Sequence, residues 1–350
     1  MSPFYILGGN GLPALSAGLT FNLITVKSEP RVTDTKGDTT SPVFPTQNMS
    51  FDFTSAPGAS PKLGAAAARQ GEVARLVEAL TLELAGEKID LPSFPDVAVR
   101  VRKALTNEDV EIDQVVRVIS AEPALAARLL QVANSAALNP NGRRLADLRT
   151  AVSRIGFNMA RSATIAFAMS QLRRAEAFKG LEIPLTELWQ QSAHVAAVCH
   201  VVARRFTRMN ADTALLAGLL QGVGKLYLLT RAARFTSLLA DPAAYQRIVA
   251  EWHVRLAQAI LRNWDMADEI VTAVAAAEDP QRDHEGVTDL ADVIAVSGAL
   301  VALGPDPRAE EMLFLGMPAA RRMKLDADAC GAALAESHAE IVSLRQVLGS

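Results

Sequence analysis

At 350 residues the chain has room for two domains, or for one large domain with appendages. It is 50% hydrophobic but only 5% aromatic, with a mean hydropathy of +0.16, so Leu, Ala and Val must fill any core. A formal net charge of −3 excludes a general polyanion- or polycation-binding character. The two cysteines, Cys199 and Cys330, fall far apart in helix-like stretches and are expected to be buried thiols in a reducing compartment. No apolar run approaches 18 residues free of charge, and the opening lacks the basic region of a signal peptide. The expectation is a cytoplasmic protein with no membrane contact.

Residues 1–68 mix Gly, Pro, Ser and Thr without a sustained period and read as a disordered leader, within which Met49 offers an alternative start. Val73, Leu76, Val77, Leu80 and Leu84 then recur at helical spacing, predicting a helix within 69–90 that Gly86 ends. A linker with Pro92 and Pro95 follows, and Asp96 is placed to cap the next helix. Ile112, Val115, Val116 and Ile119 mark another helix, and Pro123 starts one that carries Leu125, Leu129 and Val132 down to Asn134 and Ser135.

Residues 143–174 hold seven arginines (Arg143, Arg144, Arg149, Arg154, Arg161, Arg173 and Arg174) against one acid, Asp147. Arg154 and Arg161 are seven apart and should share a helix face. Solvated or locally paired arginines are one account of this cluster. A phosphate-binding patch is another, since guanidinium offers a planar donor fork. Stacking aromatics are scarce here, which disfavours single-stranded nucleic acid.

Residues 184–208 predict an amphipathic helix with Arg204, Arg205 and Arg208 at its C-terminal end. Asp212 is placed to cap the next helix, which runs into an apolar stretch at 215–229. That stretch is interrupted by a polar notch containing Gln221, Gly222, Gly224 and Lys225. Helices are expected over 243–250 and 252–264, then one capped by Asp265 and Asp268. A C-terminal extension, 281–350, should hold helices at 290–303 and 328–348 and a short segment at 310–315. No convincing strand pattern appears after residue 68. The expected fold is all-α.

The notch resembles the central signature of the HD-related output domains (HDOD), bacterial relatives of the HD phosphohydrolases. Other pieces match in order: the Leu91-Pro92 and Pro95 linker, the segment from Pro123 to Asn134-Ser135, and Ala151-Val152 followed by Ile155-Gly156. The resemblance runs over 91–280 and implies a multi-helix bundle. A phosphohydrolase of this kind needs histidines and aspartates from several helices to hold the metals that activate water. The corresponding positions here are Gln191 two residues after Trp189, the pair Gln221-Gly222, His253 eleven residues ahead of Trp264, and Ala277-Glu278 before Asp279-Pro280. One histidine remains where several are needed. The resemblance therefore implies a degenerate site with no catalytic residues, no metal and no cofactor.

The functional expectation is a non-catalytic output or regulatory module in bacterial signal transduction, acting through a protein partner or a small anion. Lys225, with Arg143, Arg144, Arg154 and Arg161, supplies the candidate anion- or partner-binding residues. Lys225 could equally neutralise helix carbonyls or pair with an acid. The alternatives are a nucleotide or nucleic-acid binding protein using 143–174, with nucleic acid disfavoured, and a phosphohydrolase built on unrecognised residues.

Overall fold

Apolar residues at helical spacing dominate the chain, and in the computed structural model every regular element among the described residues is a helix. The described residues are 63–86, 101, 104, 111–135, 138–139, 141–173, 180–304 and 316–349. The leader up to residue 62, the Pro92/Pro95 linker, the Asp96 cap, Arg174 and the 310–315 segment lie outside them. The helices are α1 (Leu63–Ala85), α2 (Ile112–Ser120), α3 (Pro123–Ala133), α4 (Leu148–Arg173), α5 (Glu182–Phe206), α6 (Ala211–Leu220) and α7 (Val223–Ala232). They continue with α8 (Thr236–Leu239), α9 (Pro242–Asn263), α10 (Asp268–Ala276), α11 (Leu290–Leu303), α12 (Pro318–Arg322), α13 (Ala327–Glu336) and α14 (His338–Val347).

Helix α5 is the axis of the bundle. Its residues from Ser192 to Ala203 are buried with little interruption, because α6, α11 and α14 pack around it. The Ala211–Ala232 stretch is apolar enough by length and composition to cross a membrane, yet 78% of its window is buried inside the protein. Its apolar surface is spent on the core, and the turn at Gln221-Gly222 divides it into α6 and α7. Cys199 and Cys330 are both free and buried, as expected.

Several boundaries differ from expectation. Helix α1 begins at Leu63, inside the stretch assigned to the leader. It lies on α7 and α8: Glu83 pairs with Arg231 at 2.5 Å and accepts from the Tyr227 hydroxyl, while the Glu72 carboxylate accepts from Leu238 N–H at 3.0 Å. Asn210, not Asp212, caps α6, accepting from the N–H groups of Asp212 and Thr213 at 2.9 and 3.0 Å. The segments expected at 243–250 and 252–264 form one helix, because Asp241 caps Ala244 and Pro242 starts the turn. Asp265 adopts φ 52° and does not cap α10, whose N-cap is Ala267. The last helix is two, since the chain breaks at Ser337.

Asn134, unremarkable in isolation, clamps the loop that follows it. Its amide donates to Leu130 O and Leu145 O and accepts from Leu145 N–H, all within 2.7–2.8 Å. Gly156 explains its place after Ile155: it sits at φ 75°, ψ 167° and kinks α4. That region is essentially closed to residues with a Cβ. A Cβ at 156 would meet nothing within 4 Å, so any penalty is purely conformational. Gly156→Ala should therefore cost about 1–3 kcal/mol in urea unfolding without changing the helical signal.

Candidate functional site

The notch between α6 and α7 places the chain's polar residues against α5, α9 and the end of α10. Gly222 starts α7 with its Cα facing α5 so closely that a Cβ there would lie 2.3 Å from Ser192 Oγ. Ser192 is buried, and its hydroxyl donates to Leu188 O at 3.0 Å. Two residues on, a Cβ at Gly224 would lie 2.0 Å from His253 O, so α7 and α9 touch backbone to backbone. This contact carries Lys225 to the mouth of α10. Its Nζ is 3.3 Å from Glu278 Oε1, and His253 Nε2 is 3.5 Å from Glu278 Oε2. All three side chains are mostly buried, at 14%, 18% and 7% exposure for Lys225, Glu278 and His253.

Of the residues picked out from the sequence, the structure thus joins Lys225, His253 and Glu278, with Gly222 beside them. Gln221 caps the end of α6 through its N–H to Ala217 O, Gln191 precedes Ser192 on α5, and Ala277 is a buried cap of α10. The residues do not fit a metal. The space an aspartate at 222 would need is filled by the Ser192 hydroxyl, the remaining donors are one imidazole and one carboxylate, and an ammonium already engages that carboxylate.

The arginine cluster is dispersed. The Gly156 kink lies between Arg154 and Arg161, so their sevenfold spacing does not set a common face. Arg154 donates to Asn139 Oδ1 at 2.6 Å, Arg149 pairs with Asp113, and Arg161 is half-buried with its pKa lowered by that burial. Arg143 and Arg144 are exposed.

Sequence reasoning missed a second charged cluster, at the start of the 281–350 extension. His284, Asp289 and Asp292 bring three potential ligand atoms within 4.8 Å of one another. Two guanidinium groups already claim their oxygens. Arg282 meets Asp289 at 2.5 Å and Asp292 at 3.3 Å, and Arg322 meets Asp292 at 2.9 Å and Asp283 at 2.7 Å. Asp289 and Asp292 also form the capping box of α11, and His284 Nε2 lies 3.2 Å from Asp292. Asp292 is only 2% exposed, and its carboxylate is met by Arg282, Arg322 and the Asp289 N–H. This is a structural knot; the signal that could have found it was the Asp289/Asp292 capping spacing beside Arg282.

Two histidines are held neutral. Burial, then the Lys225 charge, push His253 down to about 4 against the pull of Glu278. Burial, then the Arg345 charge, push His194 down to about 4. Both folded values lie below the ordinary imidazole value of 6.5, so on acidification the unfolded chain takes up these protons first. The stability they contribute is complete above about 6.5 and is lost as pH falls toward about 4. The melting temperature should fall across that window, and less steeply in His253→Asn. A second outcome concerns Ser192: Gly222→Ala should cost about 1–3 kcal/mol by forcing the hydroxyl off Leu188, and Ser192→Ala in the same chain should recover most of it.

With this geometry in view, comparison with known proteins is specific. The HDOD domain profile matches residues 91–280, more than half of the chain. An uncharacterized protein of Treponema pallidum (strain Nichols) is 22% identical over 220 residues, or 59% of this chain. The chain spans only 41% of that curated relative's length. Among solved structures, a Shewanella amazonensis SB2B protein provisionally named a metal-dependent phosphohydrolase superposes with a TM-score of 0.61 at 24% identity, covering 78% of this chain and 99% of that one. An HDOD domain protein with unknown function from Geobacter sulfurreducens gives 0.54 at 21% identity, covering 79% and 97%. These likenesses establish the shared fold, and the matched domain, carrying the Pro123–Ala133 helix, the Gly156 kink and the 221–225 notch, places the chain in the HDOD family.

Proposed function

We propose that this chain is a non-catalytic regulatory module of bacterial signal transduction, working in the cytoplasm through a protein partner. One observation carries the reading: the Ser192 hydroxyl occupies the space that a metal-binding side chain at 222 would need. A hydrolase of this fold draws on histidines and carboxylates from several helices, whereas the notch offers one imidazole and one carboxylate already paired with Lys225. Replacing a buried polar cluster by well-packed groups need not cost stability, so the bundle can persist as a recognition surface after its chemistry is gone. Membership of the HDOD family supports the regulatory role.

A small anion at Lys225 is the less supported role, because Lys225 is already paired with Glu278. Nucleic-acid binding through 143–174 is disfavoured, because Arg149 and Arg154 are engaged within the protein and Arg161 is half-buried. Metal analysis and a phosphodiesterase assay on purified protein test the reading. Metal content should stay far below one equivalent after dialysis, with no turnover of an aryl phosphodiester in added Mn²⁺. Near-stoichiometric metal that disappears in His253→Ala, accompanied by turnover, would reverse it. Affinity capture from the native lysate with wild type and Lys225→Ala would then locate the partner surface.

A further inference from the structure

Away from the notch, one buried imidazole stands where the family domain meets the C-terminal extension. His200 lies on α5 with 9% of its side chain exposed, between α6 and α14. Asp212 Oδ1 on α6 is 3.7 Å from its Nδ1, and Glu340 Oε1 on α14 is 3.4 Å from its Nε2. Arg204, one turn further along α5, pairs with the other oxygen of Glu340. The other charges on the elements packed against α5 are engaged elsewhere or partly buried. Arg205 pairs with Glu336 of α13 at 3.3 Å, and Asp292, the one charged residue of α11, is held by Arg282 and Arg322. Lys225 and Arg231 of α7 meet Glu278 and Glu83, and Arg149 and Arg154 of α4 meet Asp113 and Asn139. Arg161 of α4 is half-buried, as are His338 at the start of α14 and Arg345, whose charge acts on His194.

We propose that His200 is a proton-operated clasp between the family domain and the extension: the imidazolium holds Asp212 of α6 and Glu340 of α14 at once, and the neutral ring holds only one of them. A neutral imidazole carries a single N–H, so whichever nitrogen has it, the other turns a lone pair toward a carboxylate. Nδ1 makes no hydrogen bond, and 3.7 Å to Asp212 is an attractive distance only when the ring is charged. Charge balance points the same way. Arg204 offsets one of the two carboxylates, and a proton on His200 offsets the other. Both carboxyl groups respond to the ring. Burial would raise Glu340, but His200 and Arg204 outweigh it and hold that carboxyl below its ordinary value. Burial raises Asp212, and His200 opposes the rise. The clasp reaches across the boundary at residue 280, so the seating of α14 on α5 follows the protonation of one ring.

For a charged ring favoured by the folded cluster, stability is present at low pH and is lost as the proton leaves, within the range where imidazole titrates. Melting of the full chain at pH 6 and pH 8, in wild type and His200→Gln, tests this. The excess of wild type over the variant should be several degrees larger at pH 6 than at pH 8. Taking that difference removes the contributions of His253 and His194, which run in the opposite direction and are common to both proteins. In an Asp212→Asn background the new amide can donate to the Nδ1 lone pair, so the change in the gap between the two pH values should shrink. An equal gap at both pH values, a larger one at pH 8, or an undiminished change in Asp212→Asn would each overturn the clasp. Amide hydrogen exchange on wild type decides should His200→Gln not fold. After correction for the intrinsic pH dependence of exchange, α14 and the first turn of α6 should be several-fold better protected at pH 6 than at pH 8, and equal protection would overturn the proposal.

Discussion

Backbone contact between helices is the constraint on which this molecule depends. The α6–α7 segment passes through the centre of the bundle on glycines. A Cβ at Gly218 would lie 2.8 Å from Cys199 Sγ and 2.9 Å from Ala196 Cα, and one at Gly224 would lie 2.0 Å from His253 O. Ordinary side chains hold helix axes about 8–10 Å apart. Glycine at these crossings lets α6 sit against α5 and α7 against α9 at closer range. The position of every polar group in the notch follows from those two crossings. Ser192 reaches the space above Gly222, and Lys225 reaches Glu278, because the α6–α7 segment is pressed this deeply into its neighbours.

The extension after residue 280 is fastened to the family domain at separate points. The Trp189 indole N–H donates to Leu348 O at 3.0 Å, and Arg128 donates to Gln346 O at 3.0 Å. Leu348 O lies beyond the last turn of α14, and Gln346 O, which already accepts from Gly349 N–H, gains a second donor. Further along α5, Arg204 pairs with Glu340, and His200 Nε2 lies 3.4 Å from the same carboxylate. The Arg322 knot anchors α12 to the start of α11. The matched family segment ends at residue 280, but the packing does not: α14 covers α5, the axis of the whole bundle.

Much of this was legible in the sequence, for identifiable reasons. Apolar spacing located α1, α2, α3, α5 and α11, because amphipathic burial sets that period directly. The notch was visible as a polar interruption in an apolar run. Caps were less legible. Asn210 and Asp212 both suit an N-cap, and which one serves depends on where the chain leaves α5. The arginine face failed because helical period was extended across Gly156, whose positive φ no local composition announces. The Arg282–Asp292–Arg322 knot was hidden because its members come from a loop, the start of α11 and the end of α12, far apart in the sequence.

The energetics of the notch follow from how its buried polar groups are accommodated. A buried metal site contributes to a fold by pulling ligands from different helices onto one charge, and removing the ligands alone would leave voids and stranded polar groups. Here the void at 222 is occupied by the Ser192 hydroxyl, which keeps its own acceptor in Leu188. Ala277 presents only a methyl group to the core, and Glu278 beside it finds an ammonium from α7. His253 needs no proton in that setting, since burial and the neighbouring cation both favour the neutral ring. Each of these buried groups has a local partner, and the bundle keeps the helix crossings that the glycines impose.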